Sequence, residues 1–85
     1  MNEREMKVKI LYQKYDRFML DIKEMAEEIK VSYSTITKIF HKKSEKEIED
    51  NNLLPKYIKV GERRLWNISA ILDWMENTEN KKITI

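Results

Sequence analysis

Apolar residues recur at helical spacing in four stretches of the chain, and each stretch predicts an amphipathic helix with one buried face. The four sets are Val8, Leu11, Tyr12 and Tyr15; Ile22, Met25, Ala26 and Ile29; Tyr33, Ile36, Ile39 and Phe40; and Ile68, Ile71, Leu72 and Met75. The first helix is expected over residues 3–15, with a short strand at residues 7–10 as the alternative. The last helix is expected to end near Asn77.

Two polar residues mark where the second and third helices begin. Asp21 precedes the second apolar set and is followed by Glu24, and Ser32 precedes the third set. Asp and Ser are favoured N-caps because their side-chain oxygens accept hydrogen bonds from the free N–H groups of the first turn. These starts leave only a few residues between the two helices, which predicts a helix-turn-helix.

An alternating, β-branched stretch predicts a β-hairpin. Residues 56–60 read Lys-Tyr-Ile-Lys-Val, Gly61 and Glu62 form the expected turn, and residues 63–67 are expected to return antiparallel.

Polar segments flank the hairpin and the last helix. Ser44 with Glu47 predicts a short capped helical turn, which Pro55 ends. Residues 78–85 are expected to be a frayed tail, with an edge strand at residues 83–85 as the alternative.

The composition restricts the classes of protein that fit this chain. Its 85 residues make one small domain, and 41% hydrophobic residues are too many for a disordered chain. The absence of Cys and the single His41 exclude a disulfide framework, a thiolate zinc site and a multi-histidine metal site. No apolar run approaches the ~20 residues of a membrane span, and the N-terminus does not read as a signal peptide. We expect a mostly helical, cytoplasmic module without catalytic activity, cofactor or metal.

Charges are segregated along the chain, although the net charge is only +2. Residues 30–43 carry four lysines and no acid, and residues 53–68 carry four basic residues against Glu62. Residues 18–29 and 44–52 each carry four acids against one base. If the basic segments meet in space, they form a positive face that attracts polyanions. The alternative is that the charged residues cluster by chance on a solvated surface.

Two sequence blocks carry a family resemblance. The first, MLDIKEMAEEIKVSYSTITKIF, supplies Ala26, Val31, Ser32, Ser34, Thr35 and Ile36; the second, LPKYIKVGERRLWNISAILDWM, supplies Leu54, Pro55, Val60, Gly61, Arg63, Arg64 and Trp74. In these residues and their order, residues 19–76 resemble the excisionase-like family of small prokaryotic DNA-binding proteins. These are winged helix-turn-helix domains of the MerR type, including phage excisionases and AlpA-like prophage regulators. Lys30 stands where the family usually has Gly, and residues 43–53 exceed the usual link before the wing.

The resemblance implies a mostly α fold with a small β-hairpin, a winged helix-turn-helix over residues 18–77. Residues 1–17 are then an N-terminal helical extension and residues 78–85 a C-terminal tail. The implied function is sequence-specific binding of double-stranded DNA, as a phage or mobile-element excisionase or a small transcription regulator. An integrase or RNA polymerase is the candidate protein partner, with self-association on DNA and no membrane partner. The implied location is the prokaryotic cytoplasm, at the nucleoid when bound.

The residues expected to contact DNA lie on the third helix and on the hairpin. From the helix they are Tyr33, Ser34, Thr37 and Lys38, near base edges, and His41, Lys42 and Lys43, near phosphates; from the hairpin they are Lys59, Arg63 and Arg64. Strand alternation predicts that one of the two arginines points inward.

Several side chains have a structural alternative. Tyr33 is a candidate for closing the core, and Trp66 and Trp74 are expected in the core rather than as stacking platforms for single strands. Met6, Met25 and Met75 are also core candidates. A protein-interaction module that keeps the fold without binding DNA is the rival function, with residues 18–29 and 44–52 as its acidic docking surface.

Overall fold

The computed structural model describes residues 2–83, which form five helices and a three-stranded antiparallel sheet. The helices are α1 Glu3–Tyr15, α2 Ile22–Ile29, α3 Tyr33–Lys42, α4 Glu45–Asp50 and α5 Ile68–Ile83, and the strands are β1 Met19–Leu20, β2 Ile58–Val60 and β3 Arg63–Asn67. None of these helices is long and apolar enough to cross a bilayer. The expectation of a mostly helical chain with a small hairpin is confirmed.

The sheet consists of the predicted hairpin and one strand that the sequence did not reveal. In the hairpin, Val60 lies opposite Arg63, and Gly61 takes a φ of 65° in the turn, where glycine avoids the steric cost of a Cβ atom. The order β1-β3-β2 places β3 in the middle, because Leu20 of β1 pairs with Trp66. A two-residue strand is too short to show alternation, so its pairing was not predictable from the pattern.

Capping hydrogen bonds confirm the predicted helix starts. At α2, the Asp21 carboxylate accepts from the backbone N–H of Glu24 at 2.8 Å, and the Glu24 carboxylate accepts from the Asp21 N–H at 3.0 Å. At α3, the Ser32 hydroxyl accepts from the Thr35 N–H at 3.1 Å. A capping box also begins α4, as predicted. Each cap stabilises its helix by about 1 kcal/mol.

Lys30 makes the sharp turn between α2 and α3. Its φ of 62° is left-handed, and the following N–H of Val31 donates to the carbonyl oxygen of Ala26 at 3.1 Å. A side chain in this conformation costs about 1 kcal/mol relative to glycine. The turn therefore takes a tight, left-handed form at a lysine.

One hydrophobic core fills the space between the inner face of the sheet and the helices. Its largest fully buried apolar side chains are Trp66, Leu20, Met25, Ile36, Ile68 and Ile71. Leu11 brings α1 into the same core, and Arg4 ties α1 to α5 through an ion pair with Asp73 at 2.8 Å. Residues 3–15 thus pack as part of the domain.

Three expectations about the periphery are wrong. Met6 is 51% exposed and lies outside the core, because it projects from the solvent side of α1. Tyr12 is exposed as well and stacks on Phe18, with ring centroids 4.4 Å apart. The last helix continues beyond Asn77 to Ile83, so the segment expected as a tail begins as helix. The alternative edge strand includes residues 84 and 85, which lie outside the described residues.

A cluster of three polar side chains fastens α1 to α2. Both the Lys14 ammonium, at 2.9 Å, and the Tyr15 hydroxyl donate to Oε2 of Glu28. Burial and the hydrogen bond to Glu28 raise the pKa of Tyr15 to about 12. Burial by itself would raise the pKa of Glu28, but the hydrogen bonds from Tyr15 and Lys14 outweigh it and lower that pKa.

We expect the substitution Glu28→Gln to destabilise the protein at pH 7 and to matter less in acid. The folded-state pKa of Glu28 lies below its ordinary value of 4.5, so the carboxylate contributes stability above that pH. This contribution is lost as the pH falls through the folded-state pKa. Urea unfolding of wild type and Glu28→Gln at pH 7 and at pH 3 measures the difference in unfolding free energy at each pH. Glu27→Gln is the matched control, since Glu27 is 3.6 Å from Lys14 but 67% exposed. If Glu28→Gln lost the same unfolding free energy at both pH values, this account would be contradicted.

Candidate nucleic-acid interface

A groove between α3 and the hairpin brings together five of the predicted site residues. Tyr33, Thr37 and His41 follow one another at intervals of four along α3, so they form one stripe facing the groove. Arg63 and Arg64 of β3 line the opposite side. The groove has a volume of about 410 Å³. Its complete lining is Asp21, Ile22, Tyr33, Thr37, Phe40, His41, Glu62, Arg63 and Arg64.

A second stripe on α3 faces solvent beside this groove. Ser34, Lys38 and Lys42 are also spaced by four residues and are exposed. Neither Lys38 nor Lys42 has an ion-pair partner among the described residues. The hydroxyl of Thr37 donates to the carbonyl oxygen of Ser34 at 2.9 Å, which leaves its own lone pairs as acceptors. The outward surface of α3 is therefore cationic.

The two arginines of β3 have different environments. Arg63 is exposed, whereas the guanidinium carbon of Arg64 lies 4.1 Å from the centroid of the Phe40 ring and 5.8 Å from that of Tyr57. Arg64 and Trp66 share the inner face of β3, because residues two apart in a strand point the same way. The prediction that one arginine points inward is confirmed, and the inward one is Arg64.

The predicted basic residues Lys43 and Lys59 are paired with the acidic helix α4. Lys59 Nζ contacts Glu45 Oε1 at 2.8 Å, and Lys43 Nζ lies 3.9 Å from Glu47 Oε2. The hydrogen bond and charge of Lys59 lower the pKa of Glu45. Sequence analysis missed the pairing of Lys59 with Glu45, because no spacing rule relates two residues that meet only through the fold. Part of the positive charge is thus neutralised within the chain.

Tyr33 does not close the core, so that alternative is wrong. The ring is 45% exposed at the start of α3, with Lys23 Nζ 5.6 Å from its centroid. Its position places an aromatic ring and a phenolic hydroxyl at the edge of the groove.

Both tryptophans serve the fold, as predicted. Trp66 is fully buried and its indole N–H donates to the carbonyl oxygen of Pro55 at 2.9 Å. Trp74 is half-buried and donates to the carbonyl oxygen of Asn52 at 2.8 Å. These contacts hold the segment between α4 and β2 against β3 and α5. The fully buried Trp66 offers no ring face to a nucleobase.

The groove lining combines hydrogen-bond donors and two arginines with the carboxylates of Asp21, which caps α2, and Glu62. Arginine, histidine and hydroxyl groups bind phosphate oxygens and base edges. Among the described residues, no group of three or more His, Asp or Glu side chains is placed to hold a metal ion. Phe40 and Glu62 also line the groove, and the sequence analysis did not single them out, because it assigned Phe40 to the apolar stripe and Glu62 to a turn.

No family model, curated protein or solved structure matches this chain.

Proposed function

We propose that this chain is a sequence-specific double-stranded DNA-binding protein with a winged helix-turn-helix fold. In this proposal α2 and α3 are the helix-turn-helix, α3 enters the major groove, and the β2–β3 hairpin is the wing on adjacent backbone or minor groove. One observation carries the proposal: a single groove joins the polar stripe of α3 to the two arginines of the hairpin. A DNA strand contacted by both elements would run along it.

The charge pattern supports this assignment. Lys38 and Lys42 lie on the exposed surface of α3, and Arg63 lies exposed on the hairpin beside it. Both basic segments of the sequence contribute to the lining of one groove, the first through Thr37 and His41 and the second through Arg63 and Arg64, which supports a polyanion-binding face. Arginine suits such a face, because its planar group donates in pairs to phosphate.

The rival function, docking of a protein partner on the acidic segments, has less support. Glu24 is paired with Arg17, Glu28 with Lys14, and Glu45 with Lys59. Carboxylates already used within the chain offer less to an external basic partner, because each new contact would have to replace an existing one.

The biological role that we propose follows from the resemblance in the sequence: a phage or mobile-element excisionase, or a small transcription regulator. A single domain of 85 residues buries too little DNA surface for high specificity by itself. Repeated sites occupied by several copies, or a partner such as an integrase or RNA polymerase, would supply the rest.

The test is fluorescence anisotropy with random duplex DNA, titrated across salt concentration. Seven basic residues are the candidates for phosphate contact: Lys38, Lys42, Lys43, Lys56, Lys59, Arg63 and Arg64. Five of them have no ion pair among the described residues, since Lys43 and Lys59 are held by α4. We expect log affinity to fall against log salt with a slope of about −4 to −5.

Arg63→Ala is the informative variant, because Arg63 is exposed and its loss leaves the core intact. It should weaken binding and reduce the steepness of the salt dependence by about one unit. Lys9→Ala removes the same charge from an exposed position on α1 and should bind like wild type. An absence of duplex binding even at low salt would overturn the proposal.

A further inference from the structure

Arg64 is held in place by aromatic rings rather than by polar contacts. Its guanidinium packs against Phe40 at 4.1 Å and Tyr57 at 5.8 Å. The two rings themselves meet edge to face, with centroids 5.7 Å apart, and each lies against Trp66. We call Phe40 and Tyr57 the aromatic shelf. Because the shelf rests on the buried Trp66, it is a rigid support for a planar cation.

The hydrogen-bonding capacity of Arg64 is unused within the part of the chain that the structure describes. Among those residues, its buried Nε has no hydrogen-bond partner and the side chain makes no ion pair. Buried donors are nearly always satisfied in folded proteins, so an arginine without acceptors is exceptional. Two nearby carboxylates have other partners, since Asp21 caps α2 and Glu45 binds Lys59. Glu62 in the hairpin turn is a further acid at the groove.

Arg64 also lies where donors from both elements converge. Thr37 and His41 line the same groove from α3, and Arg63 lines it from the hairpin. Hydroxyl, imidazole and guanidinium groups around one concave surface are suited to a tetrahedral anion. The charge of Arg64 is fixed in position before any ligand arrives, so little side-chain freedom is lost on binding.

We propose that Arg64 is a preformed clamp for one backbone phosphate of duplex DNA, and that the aromatic shelf positions it. This inference rests on the proposed function and assigns different roles to the two arginines. Arg64 fixes the register of the strand that passes between α3 and the hairpin, through the planar donor fork of its guanidinium. Arg63, which is exposed, contributes charge without fixed geometry.

The experiment compares lysine substitutions that keep the charge but remove the planar donor fork. Arg64→Lys should weaken duplex binding about tenfold, because it loses both the stacking and the paired hydrogen bonds. Arg4→Lys is the matched control, because it makes the same change on α1, outside the groove, and it should stay within about twofold of wild type. Both are measured by anisotropy on the same random duplex at one low salt concentration.

The role of the shelf is tested at Phe40, with two variants that leave every charge in place. Phe40→Leu keeps an apolar side chain but removes the ring and should weaken binding severalfold, whereas Phe40→Tyr keeps the ring and should restore it. Thermal unfolding of each variant identifies any loss that comes from unfolding. A second readout is the Nε–H resonance of Arg64 in ¹⁵N-labelled protein, which duplex should shift in wild type and Phe40→Tyr but less in Phe40→Leu.

The outcomes separate this inference from the proposed function. If wild type binds duplex with the expected salt dependence but Arg64→Lys binds equally well, the clamp is overturned and DNA binding stands. Equal binding by folded Phe40→Leu and Phe40→Tyr would overturn the positioning role of the shelf. If wild type binds no duplex at low salt, both proposals fail.

Discussion

Replacing Trp66 by alanine should cost about 3–5 kcal/mol of unfolding free energy, the range measured for large-to-small changes at aromatic core positions. Trp66 is fully buried on the central strand, pairs with Leu20 of β1, and supports the rings of Phe40 and Tyr57. Its loss also leaves the carbonyl oxygen of Pro55 without the indole donor. Because small domains have total stabilities near the lower end of about 5–15 kcal/mol, much of Trp66→Ala should be unfolded at 25 °C.

Far-UV circular dichroism with urea unfolding measures this effect. The unfolding free energy of Trp66→Phe should lie between those of wild type and Trp66→Ala, because phenylalanine keeps most of the apolar area but loses the indole hydrogen bond. Met6→Ala is the control at an exposed large hydrophobic residue and should change stability by no more than about 0.5 kcal/mol. An unfolding midpoint for Trp66→Ala equal to that of wild type would contradict the central place of this indole in the core.

The local features of this fold were predictable from the sequence, since they depend on neighbours in the chain. Asp21 and Ser32 were identified as N-caps because the capped N–H groups lie within the next three residues. The hairpin turn was identified from Gly61 between two alternating stretches. In each case the physical cause acts over a single turn of backbone, and the residue type is enough to reveal it.

The contacts that shape the candidate interface were not predictable, because they join distant parts of the chain. Nothing in the sequence placed Glu45 against Lys59, or the guanidinium of Arg64 over the ring of Phe40. Strand alternation predicted that one of the two arginines would turn inward, but the phase of the alternation depends on the register with β2. Only the folded arrangement identifies Arg64 as the inward residue and leaves Arg63 to solvent.

Two lysines on one stripe of α3 should have different effects on DNA binding. Lys38 is near the middle of α3 and Lys42 is its last residue, one turn later. A residue in the earlier turns of a recognition helix reaches base edges, whereas the end of such a helix meets the backbone. Lys38→Ala should therefore cost about 1–3 kcal/mol on the preferred sequence and much less on random duplex. Lys42→Ala should weaken binding to all duplexes alike.

The measurement begins with selection of the preferred sequence from a random duplex library by wild-type protein. Anisotropy then compares each variant on the selected and the random duplex across salt, with Lys9→Ala as the control for loss of one charge. We expect Lys42→Ala to reduce the salt slope by about one on both duplexes, and Lys38→Ala to reduce the ratio of the two affinities. If both variants lower both affinities equally, α3 binds DNA only through its charge. If neither variant changes binding while Arg63→Ala does, the hairpin contacts the duplex and α3 is not the reading helix.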